Sequence, residues 1–154
     1  MIEYRLEHIL SFTAQLTSQP EVIGPVPEGI RVNSYVTGGA ITGPKVFGKL
    51  RPVGADWLTV RRDGTLALDV RATMETNDGA LIYVTYTGTV DLGKNGYEDF
   101  LKGVPVASGA AIRISPRFQT SDPNYLWLNR LHCIGVGQAF LERSEVVYDV
   151  YAVR

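Results

Sequence analysis

Five side chains in this sequence have the types and spacing for acid–base chemistry: Asp69, Arg71, Thr73, Tyr83 and Thr85. They lie in RRDGTLALDVRATMETNDGALIYVTYTG, which reads as strand, tight turn and strand. If Asn77, Asp78 and Gly79 form a type I turn closed by glycine, Thr76 pairs with Ala80, Met74 with Ile82, Ala72 with Val84 and Val70 with Tyr86. Thr73 then faces Tyr83, Arg71 faces Thr85, and Asp69 stands in the same row. On one reading this row lines a lumen. Arg71 would orient a carbonyl or anionic oxygen with its fork of donors, Asp69 would act as a base if desolvated, and Tyr83 would donate to a developing oxyanion. Such a set suits enolisation, dehydration, cyclisation or C–C cleavage beside a carbonyl. On the other reading the row is the solvated face of a sheet whose Leu66, Leu68, Val70, Ala72 and Met74 fill the core.

A second set would bind rather than react. Trp127 and Asn129 fall on one side of a strand read from about Trp127, an aromatic platform with an amide beside it. Trp57 supplies a second aromatic wall, and Arg117 a second guanidinium near the end of its strand. The bland alternative packs Trp127 in the core and bonds Asn129 to backbone.

Strands must position these groups. Residues 2–16 alternate apolar and polar almost without fault, which predicts one long strand. SQPEVIGPVPEG carries three prolines and two glycines and reads as a connection. In the stretch 38–56, Gly38, Gly39, Gly43 and Gly48 interrupt strand character and predict bulges or bends at the corners of a barrel. Asp63-Gly64 turns a hairpin whose preferred register sets Leu58 against Leu68 and Val60 against Leu66. GYEDFLKG, in the excursion 92–108, predicts one short helix stopped by Gly103. Pro116 places its strand at an edge or a bulge, and EVVYDVYAV closes the chain. Eight to ten antiparallel strands with at most one short helix predict an all-β, single-domain, up-and-down β-barrel over residues 1–154.

Composition excludes several functions. The chain has 154 residues, 45% hydrophobic and 20% charged, with formal charge −1 and scattered basic residues, so no stripe exists to grip nucleic acid. No apolar run approaches the roughly 18 residues of a spanning helix, and MIEYRLEHILSF lacks the centre of a secretory signal; a cytoplasmic protein with no membrane partner is expected. Cys133 stands alone and reads as a packed thiol. His8 and His132 have no ligand spacing around them, so no metal and no cofactor are expected. His8 reads as a core histidine among Leu6, Leu10 and Phe12. No GxSxG elbow occurs.

The segments GGAITGPKVFGKLRPVGADW, RRDGTLALDVRATMETNDGALIYVTYTG and SPRFQTSDPNYLWLNR, followed by GVG and VVYDVY, resemble the bacterial and fungal family known as domain of unknown function 3237. The resemblance spans nearly the whole chain and departs near residues 92–108, where other members are more compact. It implies a barrel of calycin-like shape and says little about activity. Three functions fit: a cofactor-independent isomerase, cyclase or lyase acting on an apolar or aromatic carbonyl compound; a noncatalytic carrier of such a molecule; or a structural oligomeric barrel with a filled interior. Apolar outer rows would make a homodimer unsurprising.

Overall fold

The computed structural model describes residues 1–154, an antiparallel β-barrel. Nine strands follow in chain order: β1 (Leu6–Leu16), β2 (Glu21–Val26), β3 (Gly29–Pro44), β4 (Phe47–Val60), β5 (Thr65–Thr76), β6 (Leu81–Asp91), β7 (Ala110–Gln119), β8 (Cys133–Phe140) and β9 (Glu145–Val153). The single α-helix, α1 (Gly96–Leu101), interrupts them between β6 and β7. The sheet runs β1-β9-β8-β7-β6-β5-β4-β3-β2, and β1 also pairs with β3, which closes eight strands into the barrel and leaves β2 outside.

The hairpin registers follow from side-chain alternation. β5 and β6 pair Met74 with Ile82, Ala72 with Val84, Val70 with Tyr86 and Thr73 with Tyr83, as the apolar rows require. Val60 faces Leu66 across β4 and β5, the register that the longer turn predicts. Register shifts fall between Tyr35 and Gly39 and between Leu50 and Gly54, so the glycine-rich stretch does bend the strands at corners. Gly103, with φ 75°, follows the helix end at Lys102. Pro116 pairs with Tyr86 on β6, while β8 stops pairing at Ile114, so the missing N–H lies on an open edge.

Four expectations need correction. The first strand starts at Leu6, and a bulge between His8 and Leu10 breaks its alternation. Both Ile9 and Leu10 are buried, while His8 is turned out of the core, its Nε2 3.0 Å from Ser11 Oγ and its ring beside Tyr151. The proline-rich connection contains β2, which pairs with the first part of β3 only and tolerates Pro25 because its other edge is free. The strand expected from Trp127 begins at Cys133, because Leu126–Arg130 winds into a 3-10 turn.

The inward rows bury one continuous core. Leu66, Leu68, Val70, Ala72 and Met74 all point into the barrel, and Phe12, Tyr86 and Tyr148 cross it as an aromatic layer. Phe12 stacks on Tyr148 with centroids 4.8 Å apart, and Tyr86 meets Tyr148 edge-on at 5.7 Å. Gly137 on β8 makes room for this layer: a Cβ there would sit 2.3 Å from Tyr148 Cδ1 and 2.5 Å from the Val147 carbonyl oxygen. Gly137→Ala is therefore expected to cost about 1–3 kcal/mol, read as a lower urea midpoint. An unchanged midpoint would mean that the ring has space to retreat.

Candidate functional site

The barrel interior is not filled at one end. A cavity of about 180 Å³ lies between the aromatic layer and the mouth formed by the β1–β2, β6–β7 and β8–β9 connections. Val32, Leu58, Leu66, Leu68, Val90 and Ile112 form its apolar wall, and Phe100 and Val106 reach into it from the 92–108 excursion. Two polar side chains from the strands face it, Ser34 and Asp56, with only 7% and 6% of their surface exposed.

Asp56 arrives there through strand parity. It belongs to the inward row of β4 with Leu58 and Val60, and it stands between Ser34 on β3 and Val70 on β5. Val70 in turn faces Tyr86 on β6, so Ser34, Asp56, Val70 and Tyr86 form one rung across four strands. The β4–β5 ladder opens beside this rung, skipping Trp57 and Leu58. Side chains take up the freed backbone groups: Asp69 N–H donates to Asp56 Oδ1 at 3.0 Å, and Arg31 Nη1 donates to the Trp57 carbonyl at 2.6 Å. That N–H is the carboxyl's one hydrogen bond, and no basic side chain lies against it.

Burial is the main influence on Asp56 and raises its pKa from the ordinary 3.8 to about 7. The Asp69 N–H opposes this rise, the Asp69 charge adds to it, and the Arg31 charge opposes it more weakly. Near neutrality this carboxyl is thus divided between acid and base forms, the condition under which one group can both give and take a proton. Burial also raises the phenols of Tyr86 and Tyr148, with the Asp56 charge adding to it, so both stay protonated as hydrogen-bond donors.

The residues singled out in the sequence lie elsewhere. Asp69, Arg71 and Tyr83 stand on the outer wall, at 49%, 48% and 41% exposure. There Asp69 Oδ1 and Arg71 Nη1 are 3.4 Å apart, and the guanidinium lies 5.3 Å from the Trp57 ring centroid. Arg117, exposed, pairs opposite Thr85 on the same wall. Trp57, half-buried, belongs to this outer cluster and not to a cavity wall. The physical reason is parity: the aliphatic row of β5 fills the barrel, so its alternate row must face outward. Arg71→Ala is expected to cost about 1 kcal/mol or less and to leave binding in the cavity unchanged.

Trp127 and Asn129 sit at the opposite end of the barrel. Asn129 spends its amide on backbone, accepting from Thr120 N–H and donating to Thr120 C=O at 2.8 Å each. The Trp127 indole donates to the Asn124 carbonyl, and neighbouring Leu128 plugs the core. Cys133 is buried and free, and burial pushes its thiol up to about 11, which makes it a poor nucleophile. No three His, Cys, Asp or Glu side chains converge in a way that could hold a metal ion. No helix is long and apolar enough to cross a membrane.

The sequence matches the family described as "Protein of unknown function (DUF3237)" over residues 4–153, and the chain belongs to that family. A UPF0311 protein of Rhodopseudomonas palustris strain TIE-1 is 32% identical over 96% of this chain and 95% of its own. A "hydroalkoxylation enzyme phnH" of Penicillium herquei is 30% identical over 80% of this chain and 69% of its own. Among solved structures, a Clostridium acetobutylicum protein of unknown function shares the fold with a TM-score of 0.87 and 27% identity, covering 99% of this chain and 100% of its own. A barrel with an enzyme among its relatives is thus established.

Proposed function

We propose that this member of the DUF3237 family is a cofactor-independent enzyme of the isomerase, cyclase or lyase type, in which Asp56 moves a proton on a small apolar or aromatic carbonyl compound. One observation carries the reading: a carboxyl without a cationic partner faces an apolar cavity. A buried, unpaired acid is costly to a fold and finds its use in chemistry. In its acid form Asp56 donates to a carbonyl oxygen or a double bond; in its base form it removes a proton beside the carbonyl. Ser34, opposite it on β3, orients the oxygen, and the apolar wall holds the rest of the molecule.

The name of the fungal relative supports the same chemistry. Hydroalkoxylation adds an O–H across a C=C bond: a proton goes to one carbon, the oxygen bonds to the other, and the hydroxyl proton passes to the base. Atoms balance within one substrate, and a single carboxyl can supply the first proton and accept the second.

The test needs no natural substrate. Acetophenone incubated with the protein in D₂O is expected to exchange its methyl hydrogens faster than in buffer, followed by proton NMR. Binding of the ketone with exchange at the buffer rate would make the protein a carrier and overturn the enzymatic reading.

A further inference from the structure

We propose that the 92–108 excursion is the size filter of the cavity, so that the site takes an uncharged molecule of about one ring and refuses larger or anionic ones; this rests on the cavity being the working site.

The excursion is tied to the rim on both sides. At its start Leu92 N–H donates to the Gly64 carbonyl at 2.9 Å in the β4–β5 turn. Tyr97, 7% exposed, lies under the Arg62 guanidinium of the same turn, 5.1 Å from its ring centroid. At its end Ser108 Oγ donates to Glu142 Oε1 at 2.7 Å, and Gly109 N–H donates to the Ala139 carbonyl at 2.7 Å. Between these ties Phe100 packs against the core, and with Val106 it turns into the cavity, across from Leu16 at the end of β1 and from Pro20 and Leu141 of the facing connections. An excursion anchored at both feet with apolar side chains directed inward sets how deep and how wide the space is.

Size follows from volume. An apolar cavity of about 150 Å³ holds a benzene ring, so about 180 Å³ suits one ring with a short substituent better than a fused pair. Charge follows from the lining, in which Asp56 is the one ionisable group and no lysine, arginine or histidine occurs. A carboxylate ligand would bring a negative charge into this apolar space with no cation in the lining to neutralise it. A neutral carbonyl meets a donor in the acid form of Asp56.

Titration calorimetry at pH 6 with acetophenone, 2-acetonaphthone, benzoate and benzylamine tests this on wild type and Phe100→Ala. Wild type is expected to bind acetophenone at least tenfold tighter than the naphthone and to give no heat with benzoate. Phe100→Ala should gain at least tenfold for the naphthone. If circular dichroism shows that this variant is unfolded, Val106→Ala carries the same expectation. Equal affinity for the two ketones in wild type, or a ratio unmoved in the variants, would overturn the filter while leaving the site standing. Benzylamine binding tighter than acetophenone would overturn the uncharged class. The enzymatic reading fails by a different result: ketones selected by size as expected, with no proton exchange in D₂O.

Discussion

Asp56→Asn is expected to lower the rate of acetophenone proton exchange by about 10²–10⁴-fold, the usual contribution of a positioned acid–base group. Asparagine keeps the shape and can still accept the Asp69 N–H, so the barrel and the cavity remain. It cannot hold or release a proton. Affinity for the ketone should change by only about threefold, the scale of one altered hydrogen bond. A loss in rate with binding preserved separates proton transfer from packing. Loss of both together would assign Asp56 to the architecture of the cavity, and retention of exchange would remove it from the chemistry.

The second large effect is on stability and needs no ligand. In the folded protein Asp56 keeps its proton to about pH 7, whereas in the unfolded chain it loses it near the ordinary 3.8. Between those values the folded state binds more protons than the unfolded one, so stability falls as pH rises. The stabilising contribution is whole below about pH 4 and gone above about pH 7. Its size is about 4 kcal/mol, taking 1.36 kcal/mol for each pH unit. Asp69, Arg31, Tyr86 and Tyr148 are the titratable groups that act on this carboxyl or feel its charge. Carboxylates such as Glu7, held down to about 2 by Lys45 and Arg154, act with the opposite sign at lower pH, and comparison with a variant cancels them. Urea unfolding of wild type and Asp56→Asn at pH 4.5 and pH 8 should therefore show the variant gaining about 3–4 kcal/mol relative to wild type between the two. A constant difference would mean that Asp56 titrates as an ordinary carboxyl.

Much of the barrel was legible in residue order because two-residue periodicity leaves little freedom. Once Asn77-Asp78-Gly79 turns the chain, the apolar rows of β5 and β6 can meet in one register only, and they do. Glycine and proline told where strands bend or lack partners, at Gly39 and Pro116. Trp127 shows the limit. Its neighbourhood alternates like a strand, yet Asn129 reaching back to Thr120 winds it into a turn, and that contact is set by tertiary structure.

The site was harder to read for a related reason. Polar side chains crowd the outside of any barrel, so Asp69, Arg71 and Tyr83 drew notice through their chemistry while parity assigned them to the outer wall. Asp56 carried the stronger signal: it is a carboxylate in phase with Leu58 and Val60, on a row that must face inward. What alternation could not supply was the opening of the β4–β5 ladder at Trp57 and Leu58. That opening gives the carboxyl its single backbone donor, and the excursion covers the mouth above it.

The most direct measurement is a carbon-13 NMR titration of the Asp56 carboxyl, free and with acetophenone bound. A midpoint near 7 in the free protein, moving upward as the neutral ketone displaces water from the cavity, is the expected result. A midpoint near 4 that ignores the ketone would contradict the account, because the carboxyl would then be an ordinary solvated acid with no proton to give at neutral pH.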